Sequence, residues 1–249
     1  MFNKNIHLHL PLKIKSENNI ISNCFKFLTK DCVSIINDIL DEDHIQKNCK
    51  FSSEIAPKVY RGLYQNSNFI KDLWDCKEIT DQISKTMNNK LKIHPMLYER
   101  AHVNCTNIKK KEKHIFNWHF DSQPYVFVTL LNSENKNDYS TQYYLDGKYY
   151  NLEFPGPGYA YILKGSEVEH CVLPNIGKRT SMITSFVPES IYENDNTNLN
   201  ISKTYTPKNE LLLDFTRYKL DRIDNMIKNN IDSEKTLKEL DDLKNEIIF

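Results

Sequence analysis

The stretch STQYYLDGKYYNLEFPGPGYAYILKGSEVEHCVL, from Ser140 to Leu173, decides the fold. Asp146-Gly147 stands between aromatic-rich runs and predicts a hairpin, because a type I′ turn needs positive φ at both central residues. GPGYAYILKGSEVEHCVL (Gly156–Leu173) then gives a turn, an apolar strand, a turn at Gly165 and another strand. Downstream, KRTSMITSFVP (Lys178–Pro188) is a further strand that Pro188 stops. Upstream, NWHFDSQPYVFVTLLN (Asn117–Asn132) holds a strand of Val, Phe, Thr and Leu. PMLYERAHVNC (Pro95–Cys105) alternates, with Tyr98, Arg100, His102 and Asn104 on one face and Leu97, Ala101, Val103 and Cys105 on the other; Glu99 is the exception.

Helices flank these strands. Leu28–Lys47 is amphipathic with Thr29 as N-cap, and Asn68–Leu91 contains a second helix opening near Asp75. From Pro207, suited to a helix start, the chain turns helical again. Asp232 or Ser233 caps the last helix. Leu211, Leu212, Phe215, Leu220, Ile223 and Ile227 recur at near-helical spacing, for packing on the core or for a dimer interface. The expected fold is mainly β with flanking helices (α+β): a sandwich, barrel or jelly roll. One domain spans 1–249, with N-terminal helices over about 28–91, a β core over about 95–190 and C-terminal helices over about 207–247.

A chain of 249 residues buries one sizeable core. Lys+Arg and Asp+Glu balance at 33 each, so nothing points to nucleic acid or a membrane surface as partner. Apolar runs are too short for a membrane span, and the N-terminus has no apolar h-region. Six cysteines without framework spacing are expected as free thiols of a reducing compartment, which makes the cytoplasm the expected location.

The chemistry gathers at His119 and Asp121. On a strand, residues two apart share a face, so this pair is either an ordinary polar pair at a strand end or part of a metal site. A metal needs a third ligand. His7 and His9 read as an exposed pair on a strand, His44 sits at a charged helix end, His94 precedes a proline, and His114 lies in the basic loop Asn107–Phe116. His102 on its polar strand face stays in play. His170 lies on a strand about fifty residues after Asp121. Two histidines and a carboxylate make the facial set that leaves open positions on non-haem iron. Arg179 and Ser181 follow on one strand face, offering a guanidinium fork and a hydroxyl to a carboxylate. The chain uses only five arginines among its 33 basic residues, so an arginine here is informative.

WHFD followed by EHCVLPNIGKRTSMITSF resembles the HxD…H…RxS pattern of the Fe(II)/2-oxoglutarate-dependent dioxygenases, over roughly Leu97–Pro188. The resemblance implies a double-stranded β-helix, or jelly-roll, core. It implies Fe(II) on His119, Asp121 and His170, and 2-oxoglutarate held through its distal carboxylate by Arg179 and Ser181. O2 is then the oxidant and ascorbate a candidate reductant. Gly156–Pro188 is also similar to small members acting in secondary metabolism, some of which oxidise amino acids. Many relatives carry Gly-Gly-x-Thr ahead of the distal strand. Here the counterpart is Asp138-Tyr139-Ser140-Thr141, which keeps only Thr141 as a cosubstrate contact.

The retained Asp121 implies hydroxylation, desaturation or ring closure rather than halogenation, since halogenating members have lost that carboxylate. Gln123 and Tyr125 continue the alternation of His119 and Asp121 toward the substrate. In the resembling fold the strand with Tyr98 lines the cosubstrate pocket, with Arg100, His102 and Asn104 as substrate contacts; Arg100 would suit an amino-acid carboxylate. The expected partner is a small molecule, and the chain is expected as a monomer or homodimer. Three rivals stand beside this reading. One is a jelly-roll metal-dependent hydrolase or isomerase, which needs no clamp at Arg179. The second is a non-catalytic binding module that retains the fold, against which the intact His119, Asp121, His170 and Arg179 argue. The third is an oxygenase acting on a protein side chain or nucleic acid, the latter disfavoured by the neutral charge.

Overall fold

The computed structural model describes residues 1–16, 18–51, 58–108, 116–135, 138–173, 177–199 and 208–247. Six helices precede the β core: α1 (Lys4–His7), α2 (Lys30–Asp41), α3 (Asp43–Asn48), α4 (Leu63–Asn66), α5 (Asn68–Trp74) and α6 (Lys77–Thr86). Short strands β1 (Phe25–Lys26), β2 (Lys50–Phe51), β3 (Lys58–Tyr60) and β4 (Leu91–Ile93) thread among them. The main strands are β5 (His102–Ile108), β6 (Phe116–His119), β7 (Tyr125–Ser133), β8 (Asp138–Leu145), β9 (Lys148–Phe154), β10 (Tyr159–Leu163), β11 (Glu169–Val172) and β12 (Gly177–Pro188). Helices α7 (Lys208–Lys228) and α8 (Ser233–Ile247) close the chain.

The strands form two antiparallel sheets. The larger has eight strands in the order β1-β10-β7-β12-β5-β3-β2, with β4 paired to the end of β12. The smaller has four, β6-β11-β8-β9. The chain crosses between them repeatedly: β6 lies in the small sheet, β7 in the large, β8 and β9 in the small, β10 in the large, β11 in the small and β12 in the large. Strand β7 is buried on both faces. Tyr125, Phe127 and Leu131 join a core beneath α2, α5 and α6, while Val126, Val128 and Leu130 pack with Leu152, Phe154, Tyr161, Leu163 and Val168 of the inter-sheet core. In the first core Trp74 meets Phe127 edge-on, with ring centroids 5.5 Å apart at 83°. Fully buried aromatics of this kind contribute about 2–3 kcal/mol each.

The hairpin forms as expected: Asp146 (φ 50°) and Gly147 (φ 79°) link β8 to β9, and glycine carries the second positive φ without strain. Thr29 caps α2, its hydroxyl accepting from the Cys32 amide at 3.3 Å. Asp232 caps α8, accepting from the Glu234 amide at 2.9 Å. The six cysteines are all free thiols.

Four local expectations are corrected. The first helix breaks at Glu42 into α2 and α3. The segment 68–91 holds two helices: α6 opens at Lys77, near the expected Asp75, but it is preceded by the unexpected α5, capped by Ser67, whose hydroxyl accepts from Ile70. His7 is no strand residue; it lies buried in the single turn α1, where its Nδ1 accepts the Asn3 amide proton at 2.9 Å. The strand expected from Pro95 begins only at His102, because Leu97–Glu99 forms a 3-10 turn and Ala101 sits at φ 57°. Pro207 and most of the basic loop, including His114, lie outside the described residues. Among the described residues no helix is long and apolar enough to cross a membrane.

Candidate metal centre

His119 ends β6 and His170 lies on β11. They are partners across the antiparallel ladder, so both imidazoles leave the same face, with ring centroids 4.3 Å apart. Asp121 has already left the strand. Its amide donates to the Gly165 carbonyl at 2.9 Å, which turns the side chain back under the two rings. Asp121 Oδ1 lies 3.4 Å from His119 Nε2, and Oδ2 lies 3.4 Å from His170 Nε2. One donor atom from each residue falls within 4.8 Å of the others.

The outer partners fix the tautomers. His119 Nδ1 is 2.7 Å from the Asn117 carbonyl, and His170 Nδ1 is 2.9 Å from the Val168 carbonyl. A carbonyl only accepts, so each Nδ1 carries a proton and donates, which leaves each Nε2, on the Asp121 side, as the ring atom able to ligate a metal. Metal-ligating histidines are held in this way. Burial works to raise the Asp121 pKa, but the adjacent His119 and His170 outweigh it, and the carboxyl is held below the usual carboxylate range. Two imidazole Nε2 atoms and one carboxylate oxygen gathered within 4.8 Å suit a divalent first-row metal. The residues therefore fit a metal.

Gly165 makes this arrangement sterically feasible. A Cβ there would stand 2.7 Å from Asp121 Oδ2 and 2.8 Å from Asp121 Cβ. Gly165→Ala is expected to weaken metal affinity by about 10–100-fold, the scale of lost outer-shell support, with the far-ultraviolet circular dichroism unchanged. Anaerobic titration with Fe(II) measures it; unaltered affinity would mean that Asp121 has room elsewhere.

The facing wall comes from β5 and β12. Their register pairs Ile183 with His102, Ser181 with Asn104 and Arg179 with Thr106, so these six share a face. Ile183 packs against the inter-sheet core, and the Arg179 guanidinium lies 5.7 Å from the centre of the Phe154 ring in that core. Arg179 is buried and donates to Ser181 Oγ at 3.0 Å. Thr141 on β8 is buried too, and its hydroxyl accepts from Tyr161 at 3.3 Å. Burial pushes the Tyr161 pKa up, with Thr141 and the Arg179 charge opposing and the Asp121 charge adding. Tyr161 is thus within electrostatic reach of both Arg179 and Asp121. The sequence reading missed it, although alternation along Tyr159–Leu163 sets Tyr161 and Leu163 on one face.

Other expected contacts lie elsewhere. Tyr98 belongs to the C-terminal core, where its hydroxyl bonds Glu210 and its amide donates to Asp214. Arg100 is engaged by the carbonyls of His94 (2.7 Å) and Pro95 (3.4 Å) and lies over the Tyr64 ring. Ser122–Pro124 bend the chain, so the alternation from Asp121 does not carry through; Tyr125 packs in the helix-side core and its hydroxyl accepts from Asn89 at 3.0 Å. Gln123 sits half-buried in that bend. Trp118 packs on Tyr149.

His102 is buried, and its Nδ1 has no hydrogen-bond partner among the described residues. Burial, then the Arg61 charge, holds its pKa well below the usual 6.5, against a small pull from Asp121. Burial also lowers His94, against Asp195 and Glu99 and with Arg100 and Lys219. Both rings bind fewer protons folded than unfolded. Their stabilisation is complete above the unfolded value of about 6.5 and declines as pH falls below it, by up to about 1.4 kcal/mol per pH unit for each ring. The thermal midpoint of metal-free protein is expected to fall between pH 7 and pH 5, and less steeply in His94→Gln. A flat profile would place both rings in contact with water.

No protein-family model matches the chain, and no curated protein matches it. Solved structures are similar at low identity. A 2OG-Fe(II) oxygenase family oxidoreductase from Burkholderia pseudomallei aligns at TM-score 0.46 and 12% identity, over 63% of this chain and 78% of that one. A Pseudomonas putida prolyl-4-hydroxylase aligns at 0.45 and 14%, over 68% and 87%. The non-heme alpha ketoglutarate dependent epimerase SnoN from nogalamycin biosynthesis aligns at 0.46 and 8%, over 64% and 72%.

Proposed function

We propose that the chain is an Fe(II)/2-oxoglutarate-dependent oxygenase with a jelly-roll core in a single domain, oxidising an unactivated C–H bond of a small molecule. One observation carries this. His119 and His170 of the small sheet, joined by Asp121, leave the face that Tyr143 turns to the inter-sheet core, and the buried Arg179–Ser181 pair of the large sheet lies against Phe154 of that same core. A hydrolase or isomerase has use for the first and none for the second.

In this reading His119, Asp121 and His170 hold the metal, and their outer hydrogen bonds fix the ring angles. Arg179 grips the distal carboxylate of 2-oxoglutarate with its fork, and Ser181 orients that fork. Thr141 and Tyr161 line the path between clamp and metal. His102 and Asn104 face the remaining space and contact a polar substrate, while Val126, Val128, Leu130 and Leu163 keep that space dry. Arg100 is engaged elsewhere, so a substrate carboxylate has no partner there. Bound iron and 2-oxoglutarate supply the oxidising chemistry with O2, the cosubstrate leaving as succinate and CO2, with ascorbate as a reductant in the assay. The outcome is hydroxylation, desaturation or ring closure.

The test is spectroscopic. Anaerobic protein given Fe(II) and 2-oxoglutarate develops the weak visible metal-to-ligand charge-transfer band. Absence of the band, or turnover with zinc alone, rejects the oxygenase reading.

A further inference from the structure

Helix α7 carries apolar residues on two faces. Leu211, Phe215, Tyr218 and Ile223 are buried in the C-terminal core. Leu213, Leu220 and Ile227 are 55%, 50% and 60% exposed. The exposed three are spaced by seven residues, so they form one nearly straight stripe about 21 Å long. An ordinary surface helix shows charged residues there, and large apolar residues repeated every seven positions along one line are the spacing of a helix–helix seam. Charged residues border the stripe, Arg217 and Asp224 among them. Arg217 has no ion-pair or hydrogen-bond partner among the described residues, and Asp224 bonds Lys228 within its own helix.

We propose that this stripe is the interface of a homodimer, two α7 helices packing antiparallel about a twofold axis at Leu220. A twofold interface must be complementary to itself. With the axis at Leu220, that residue meets its own copy, Leu213 meets Ile227, and Arg217 comes beside Asp224 of the second copy. A parallel pairing would instead carry Arg217 and Asp224 to the opposite flank of the seam from their copies, where neither charge meets its counterpart. The charges thus select the antiparallel arrangement. They also weigh against a lipid surface, since Asp221 and Asp224 border the stripe where a membrane-binding helix carries basic residues. Nothing in this inference depends on the metal centre.

Sedimentation velocity of the full chain over a range of concentrations tests it. Wild type is expected to dimerise. Leu220→Glu places two carboxylates on the axis and raises the dissociation constant at least about 30-fold, the scale of a central hot-spot residue. Its circular dichroism and thermal midpoint stay near wild type because Leu220 is exposed. Arg217→Asp weakens the dimer, and the double variant Arg217→Asp, Asp224→Arg restores it. A wild-type chain that remains monomeric, as it would if a different protein covered the stripe, overturns the proposal. So does a Leu220→Glu chain that dimerises as wild type does. Failure of the charge swap to restore the dimer overturns the antiparallel pairing.

Discussion

Asp121→Ala is expected to lower Fe(II) affinity more than about 100-fold, beyond the 10–100-fold typical of outer-shell changes. Asp121 supplies the only negative charge of the donor set, and its two oxygens each lie 3.4 Å from an imidazole Nε2. Without it, two neutral rings face a dication with no counter-charge. Anaerobic titration measures the loss directly. Thermal unfolding gives a second readout, because a ligand that binds only the folded state stabilises it in proportion to RT ln(1 + [L]/Kd). Added Fe(II) should raise the midpoint of wild type and leave that of Asp121→Ala unmoved. If Fe(II) fails to stabilise wild type, His119 and Asp121 are an ordinary polar pair at a strand end.

Arg179→Ala is expected to raise the dissociation constant for 2-oxoglutarate by about 30-fold or more. Truncating one partner of a buried, hydrogen-bonded charge pair costs about 2–5 kcal/mol. Arg179→Lys keeps the charge but loses the planar fork and the fixed bond to Ser181, so it should fall between wild type and alanine. Fe(II) affinity should stay at the wild-type level in both variants, since Arg179 is no member of the donor set. Loss of both affinities together would signal misfolding. Unchanged cosubstrate affinity with normal metal binding would remove Arg179 from the site and leave the metal reading standing.

Part of the arrangement was legible because strand alternation is a strict rule: Arg179 and Ser181 share the face that their spacing assigns, whereas Asp121 meets His119 from beyond the end of β6, held there by its bond to Gly165 rather than by alternation. The Asp146-Gly147 turn was legible for a similar reason, since its chemistry is local. Reading failed where one residue changes the backbone. Pro95–Cys105 alternates on paper, yet the positive φ of Ala101 cuts it, leaving His102 and Asn104 inside and turning Tyr98 and Arg100 toward other partners. Tyr125 changed sides because the bend at Ser122–Pro124 resets the count. Gly165 went unread as part of the site because its role is a close approach to a residue 44 positions away, which no local pattern records. The apolar positions of α7 were recognised together, but periodicity alone did not separate the buried Leu211 and Ile223 from the exposed Leu220 and Ile227.

His119 and His170 belong to the four-stranded layer, with Asp121 just beyond its edge, and Arg179 with Ser181 belongs to the eight-stranded one. A molecule that touches both is a rivet through two plates. On the proposed reading, its seating would couple the breathing of one layer to the other, so that occupancy of the site and rigidity of the whole sandwich would rise and fall together.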